Sequence, residues 1–366
     1  MSSPTEAWRE AVAEFPAIRA AHAVEHVDVR VDGHRLAESG FWVIVGDFEG
    51  RIDAWRFADV SPQAGGRRQL SPASPWSGPS PEEWTTSLDQ TAYERGVNNI
   101  RNHIRAGDVY QVNLCRVLTA PLSASQQGPD LSALAHCLDA GNPAPHSALI
   151  SIPGHRDVPG RWMVSASPEL FLEVDEETVR SSPIKGTAAV GESMLDKDQA
   201  ENVMITDLVR NDLSHVAKPG TVRVPEFLRE HAHPGLVHLQ STIEADLDER
   251  YCWTPDMWSA LIKAALPAGS VSGAPKSTAL EIIAAQEPVP RGPYCGVMGW
   301  VDADSRRASL AVGIRTFWWD PHVGGTLNFG TGAGITWGSD PALEWRETEL
   351  KASRLVSLAS GATIGT

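Results

Sequence analysis

The sequence predicts an α+β fold built on large, mostly antiparallel β-sheets. Two observations carry this. Segments with helical periodicity alternate with strand-like segments along the 366 residues. Many of the strand pairs are joined by connections of hairpin length, too short for the crossover that a parallel pair needs. No short-period repeat is visible in the chain.

The elements follow in order. "HVDVRVDG" (26–33) and "FWVIVGDFEGRIDAW" (41–55) read as strands, followed by a Pro, Ser and Gly-rich linker at 61–81. Residues 1–85 are taken as a strand-rich segment plus linker, part of the same fold as a main domain over 86–360. Tyr93, Val97, Ile100 and Ile104 fall on one helical face, and Gly107 ends that helix. "DVYQVNLCRVL" (108–118) then alternates, with Tyr110, Val112, Leu114 and Leu118 on one face and Gln111, Asn113 and Cys115 on the other. Two amides opposite an apolar face meet either solvent or a polar cavity.

"ELFLEVDEETVRSSPIK" (169–185) reads as a hairpin turning near Glu176. That places Glu169 opposite Ser182 and brings Glu169 and Lys185 to the same end of the hairpin. An acid and an amine placed so are either a plain ion pair or a general acid beside a nucleophile. A helix is expected over 197–217, a strand over "GLVHLQSTIEADL" with His238 on its polar face, and another strand over "ASLAVGIRTFWW". In that last strand Arg315 shares a face with the small Ala311 and Gly313. A final helix starts near "SDPALEW", capped by Ser339 or Asp340 with Pro341 in its first turn.

Composition excludes some functions. A formal net charge of −15 argues against nucleic acid as the main partner, because phosphate binding needs a surplus of Lys and Arg. The four cysteines form no C-x-x-C pair, so neither a zinc site nor a disulfide framework is expected. The N-terminal stretch carries charges where a signal peptide needs an apolar run, and the longest aliphatic-aromatic run, "FWVIV", is far too short to span a bilayer. A soluble cytoplasmic protein without a membrane partner is expected.

Three motifs have chemical content. In "EWRETELK", Glu344 and Glu347 share a helix face and Lys351 follows Glu347 by four residues. This is either a solvated, salt-bridged helix or a carboxylate set for a hard cation such as Mg²⁺, with Glu201 as an opposing ligand. In "FGTGAGITWG", the glycines at 330, 332 and 334 allow the backbone N–H groups to form an anion nest. "AGSVSGAPKST" lacks the Walker A spacing and is rejected as an ATP site.

These stretches also occur together in one family. "GDVYQVNL", "SPELFL", "PIKGT", "AENVMITDLVRNDL", "GLVHLQSTI", "GSVSGAPK", "RGPYCGVMGW", "VGIRT", "GTGAGI" and "EWRETELK" stand in the order of the chorismate-utilising enzymes, and the chain resembles that family over residues 88–356. The resemblance implies two packed antiparallel sheets flanked by helices, chorismate as substrate and Mg²⁺ as cofactor. It implies Glu201 and Glu347 as metal ligands, with Glu344 nearby. Arg315, Lys351, Tyr294 and the backbone of Gly332, Ala333 and Gly334 become the carboxylate grip, and His238 and Ser272 line the pocket. Isochorismate-forming members carry a lysine at the position of Gln111, which is thought to activate water. Gln111 cannot remove a proton, which disfavours water addition. "PIKGT" resembles the aminodeoxychorismate synthase branch, where anthranilate synthases typically have alanine. The resemblance thus implies Lys185 as a nucleophile and Glu169 as its acid partner. It also implies ammonia from a separate glutamine amidotransferase subunit, because no glutaminase-type cysteine and histidine pair fits this sequence.

Overall fold

The computed structural model describes residues 8–63, 75–125, 128–189, 196–233 and 236–361. Most of the predicted linker therefore lies outside the described residues. In chain order the first strands are β1 (Val12–Glu14), β2 (Ile18–Asp28), β3 (Phe41–Gly46), β4 (Ile52–Pro62), β5 (Thr85–Thr86) and β6 (Gln111–Pro121). β7 (His146–Ile152), β8 (Arg161–Ser167), β9 (Leu170–Asp175), β10 (Thr178–Ser182), β11 (Ile184–Ala189) and β12 (Arg223–His233) follow. The last are β13 (Leu236–Asp246), β14 (Gly273–Ala274), β15 (Val297–Asp302), β16 (Arg307–Val312), β17 (Thr316–Asp320) and β18 (Thr326–Ile335). The longer helices are α1 (Gln90–Ala106), α2 (Ser132–Gly141), α3 (Asp196–Ser214), α4 (Met257–Ala265), α5 (Lys276–Gln286) and α6 (Pro341–Ala359).

Every pairing between these strands is antiparallel, and the ladder falls into two halves. One runs β14–β6–β18–β17–β8–β7–β1. The other runs β1–β2–β4–β3–β15–β16–β9–β10–β13, with β11 and β12 also on β13. The short strand β1 belongs to both. The halves face each other across a core in which Ile150, Ile152 and Met163 meet Val43, Trp55, Phe57 and Met298. Helices cover the outer faces. α3 and α4 pack on the second half through Ile205, Leu213, Trp258 and Leu261. α1 and α5 pack on the first half through Val97, Ile100 and Ile282, and α2 and α6 through Leu134 and Leu355. This is the α+β architecture of packed antiparallel sheets flanked by helices. Removing these apolar side chains from water is its main driving force.

Local chemistry sets the ends. α1 begins at Asp89, which accepts from Ala92 N, and stops at Gly107 with φ 85°, a left-handed value that favours glycine. α6 is capped by Asp340, which accepts from Ala342 N and Leu343 N, with Pro341 in its first turn. The β9–β10 hairpin turns at Glu176, with φ 55°. A bulge sets Ser182 opposite Leu170 rather than Glu169. Tyr110 departs from its expected apolar face: it precedes β6 and is 73% exposed.

The larger correction concerns "ASLAVGIRTFWW". It is two strands, because the chain leaves β16 in the second half, turns through Arg315 at φ 52°, and enters β17 in the first. Arg315 therefore shares no strand face with Ala311 and Gly313. The chain also passes between the halves from β8 to β9, through Glu169. The two crossings are laced together. Val312 N donates to Glu169 O (3.1 Å) and Ala166 N donates to Arg315 O (3.0 Å). Ser167 Oγ donates to Val312 O (2.7 Å). This seam positions the candidate site.

Candidate active site

Glu169 is 4% exposed, and Ser270 Oγ donates to its Oε1 at 2.5 Å. Burial raises its pKa to about 7, while the Ser270 hydrogen bond and the charge of Lys185 pull the other way. A carboxyl in that range is protonated often enough at neutral pH to act as an acid. Ser270 was not among the residues expected from sequence. It sits in a 3₁₀ turn over Gly269–Val271 that aims its hydroxyl at Glu169, whereas the expected Ser272, fully buried, donates its own to Ala268 O (2.9 Å). The two serines of "GSVSG" look alike in sequence, and only the turn distinguishes them.

Lys185 stands on β11 where the register with β13 shifts between Ile184–Gln240 and Thr187–His238. Gly186, at φ 83°, supplies the backbone freedom for that irregularity. The lysine side chain is 14% exposed, and its Nζ lies 3.9 Å from Glu201 Oε2 on α3. His238 is buried on β13 beside this bulge, at 2% exposure.

Arg315 is half-buried, and among the described residues no hydrogen bond or ion pair engages its guanidinium. Burial lowers its pKa. A partly desolvated guanidinium in this situation is a ready partner for a carboxylate.

Gly330, Gly332 and Gly334 do not form a nest. They are in extended β18, paired with Val117, Cys115 and Asn113 of β6. Glycine is required because the Tyr294 ring packs onto Gly330 and Cys115 onto Gly332, where a Cβ would sit 2.0 Å from Tyr294 Cγ and 2.5 Å from the sulfur. β17 ends its pairing at Phe329, so the other edge of 330–335 faces no strand. Lys351 Nζ donates to Gly332 O from that edge (3.1 Å) and lies 2.6 Å from Glu347 Oε1. The N–H of a strand residue points to the same side as its C=O, so Gly332 and Gly334 present their amides there too. Cys115 Sγ approaches Tyr294 Oη at 3.9 Å.

Gln111 and Asn113 are 1% and 8% exposed, which settles the alternative left by their alternation: they face a polar interior rather than solvent. Below them, Arg291 is 1% exposed and donates to Val271 O (2.8 Å) and Asn113 O (2.9 Å). It is paired with Glu287 through two hydrogen bonds of 2.8 and 2.6 Å. Glu287 in turn accepts from Cys115 N (2.8 Å). Neither Arg291 nor Glu287 was singled out from sequence.

The expected metal ligands are oxygen donors suited to a hard cation. Glu344 is 3% exposed and one helical turn from Glu347. The pKa of buried Tyr93 is pushed well up by desolvation first, then by Cys115, Glu344 and Glu347. Glu201 and Glu347 instead meet Lys185 and Lys351. Among the described residues no three His, Cys, Asp or Glu side chains gather closely enough to hold a metal.

Among the described residues, the buried Glu169 under the charge of Lys185, the unengaged guanidinium of Arg315 and the unpaired edge of residues 330–335 are the candidate groups. Comparison with known proteins gives the class. The family model for chorismate binding enzymes matches residues 49–357, and the chain belongs to that family. Anthranilate synthase component 1 of Streptomyces coelicolor is 37% identical over 309 residues, 81% of this chain and 57% of that protein. Aminodeoxychorismate synthase component 1 of Klebsiella aerogenes is 34% identical over 286 residues, 75% of this chain and 59% of that protein. The chain thus spans less than two thirds of these relatives' own length. The fold is shared with anthranilate synthase component I from Streptococcus pneumoniae, with a TM-score of 0.74, 20% identity and coverage of 94% and 92% of the two chains. It is also shared with the menaquinone-specific isochorismate synthase of Escherichia coli, with a TM-score of 0.74, 16% identity and coverage of 98% and 91%. No helix among the described residues is long and apolar enough to cross a membrane.

Proposed function

We propose that this chain aminates chorismate at C4, giving 4-amino-4-deoxychorismate, with Lys185 as nucleophile and Glu169 as general acid. The observation that carries the reading is the pairing of a buried carboxyl, at a pKa of about 7, with a lysine whose charge acts on it. The neutral Lys185 amine bonds to ring C2. The two ring double bonds shift, the C4–O bond breaks, and the Glu169 proton leaves with the hydroxyl as water. Ammonia then bonds to C4 and the C2–Nζ bond breaks. Arg315, Lys351, Tyr294 and the open edge at Gly332, Ala333 and Gly334 grip the carboxylates, while His238 and Ser272 line the pocket. Glu201, Glu344 and Glu347 would hold Mg²⁺ only once drawn together, with Glu201 and Glu347 leaving their present lysine partners, and the ion would then neutralise substrate carboxylate charge. A glutamine amidotransferase subunit supplies the ammonia.

Anthranilate formation is the second reading, favoured by the Streptomyces relative. Product analysis separates the two: purified protein, chorismate, Mg²⁺ and excess ammonium, with products identified by chromatography and mass. A product that an aminodeoxychorismate lyase converts to 4-aminobenzoate supports the proposal, and anthranilate overturns it.

A further inference from the structure

Gln111 Oε1 and Asn113 Oδ1 are buried and accept no hydrogen bond among the described residues. Both side chains leave β6 on the face of Gly332 and Gly334. The Gly334 position brings the two amides close: a Cβ there would lie 2.3 Å from Gln111 Nε2 and 3.2 Å from the orphan Asn113 Oδ1. Asn113 is tied to the acid. Its N–H donates to Ser272 O (2.8 Å), and two residues back on the same turn Ser270 holds Glu169.

Buried acceptors are nearly always satisfied, so two orphans on one strand face call for a ligand that brings donors. Chorismate brings one, its C4 hydroxyl; its carboxylates and ether oxygens only accept. The second substrate of the proposed reaction brings three N–H donors on one small atom. We infer that Asn113, with Gln111 beside it, forms the binding site for ammonia. This inference rests on the amination reading and adds the position of its second substrate.

Amide oxygens suit that task. They accept N–H bonds and leave the nitrogen lone pair free, and neither amide can protonate the nucleophile at neutral pH. The lone pair forms the N–C4 bond, the ring double bonds shift back, and Lys185 departs from C2 as a neutral amine. The new ammonium group returns one proton to the Glu169 carboxylate, which gave its own to the departing hydroxyl.

The test uses the purified chain with ammonium chloride as the nitrogen source. Initial rates are measured against ammonium at saturating chorismate and against chorismate at saturating ammonium, for wild type, Asn113→Ala and Asn113→Asp. Asn113→Ala should raise the KM for ammonium about tenfold, the weight of one well-made hydrogen bond. The chorismate KM and the mass of a Lys185 adduct formed without ammonium should stay as in wild type. Asn113→Asp keeps an acceptor oxygen whatever its charge and should hold the ammonium KM within about threefold. An unchanged ammonium KM in Asn113→Ala, or a chorismate KM that rises with it, overturns the inference alone. Anthranilate as the product overturns the C4 reading but leaves this measurement intact, since that reaction also consumes ammonia. A wild-type chain that yields no amino product overturns both.

Discussion

Replacing Glu169 with glutamine should make the protein more stable and less active at the same time. The carboxyl has a native-state pKa of about 7 against 4.5 for an ordinary glutamate, and burial is the leading cause. The native state therefore binds this proton more tightly than the unfolded chain does. The resulting stability is fully present below the unfolded value and is lost as pH rises through about 7. Keeping Glu169 ionised above about pH 8 therefore costs about 3 kcal/mol. Glu169→Gln keeps the shape, can still accept from Ser270 and carries no charge to bury. Its unfolding free energy, measured by denaturant titration from about pH 5 to about pH 9, should match wild type at the acid end and exceed it by up to about 3 kcal/mol at the alkaline end. Activity should fall by about 10²–10⁴, the usual weight of a general acid. Parallel stability curves for the two proteins, or near-wild-type turnover in the variant, would refute the reasoning.

Other outcomes follow from the same geometry. Lys185→Ala should abolish both amination and any chorismate-derived mass adduct on the protein; retained turnover with ammonium would remove its nucleophilic role. Ser270→Ala withdraws a hydrogen bond that favours the carboxylate, so the alkaline limb of the rate–pH profile should move up, a direction that a purely structural serine would not produce. Arg291→Met leaves the Glu287 carboxylate buried without its cation, and a loss of about 3–5 kcal/mol in denaturant unfolding is expected, with no loss counting against the pairing. Glu347→Gln should raise the Mg²⁺ concentration for half-maximal activity without moving the chorismate KM at saturating metal, and an unchanged metal dependence would argue that this helix holds only Lys351.

Elements fixed by local chemistry were legible in the sequence. α1 ends at Gly107 and α6 starts at Asp340 because capping and left-handed φ depend on a few neighbouring residues. The alternation of β6 correctly separated the face of Gln111 and Asn113 from that of Val112 and Leu114. Where sequence reading failed, partners distant in the chain decided the outcome. "ASLAVGIRTFWW" reads as one β-rich run, and the competition between β9 and β8 for its two ends breaks it at Arg315. The glycines of β18 suggested an anion nest, but they answer to the ring of Tyr294 and the sulfur of Cys115, which arrive from other strands. Lys185 and Glu169 were placed near each other by the hairpin. The burial that sets the acid's pKa, and the Ser270 turn that moderates it, depend on segments about a hundred residues further along.

The two laced crossings between the sheet halves, at Glu169 and at Arg315, have a consequence for folding. Glu169 lies in one crossing and Arg315 in the other, so the two candidate groups are set only where the halves meet. The links that lace them, such as Val312 N to Glu169 O, join residues more than 140 positions apart. Closing such long loops is entropically expensive and comes late, after local hairpins and helices have formed. A fragment carrying only one half would display neither an aligned acid nor a seated guanidinium. Completion of the candidate site is thereby deferred until the whole molecule has assembled.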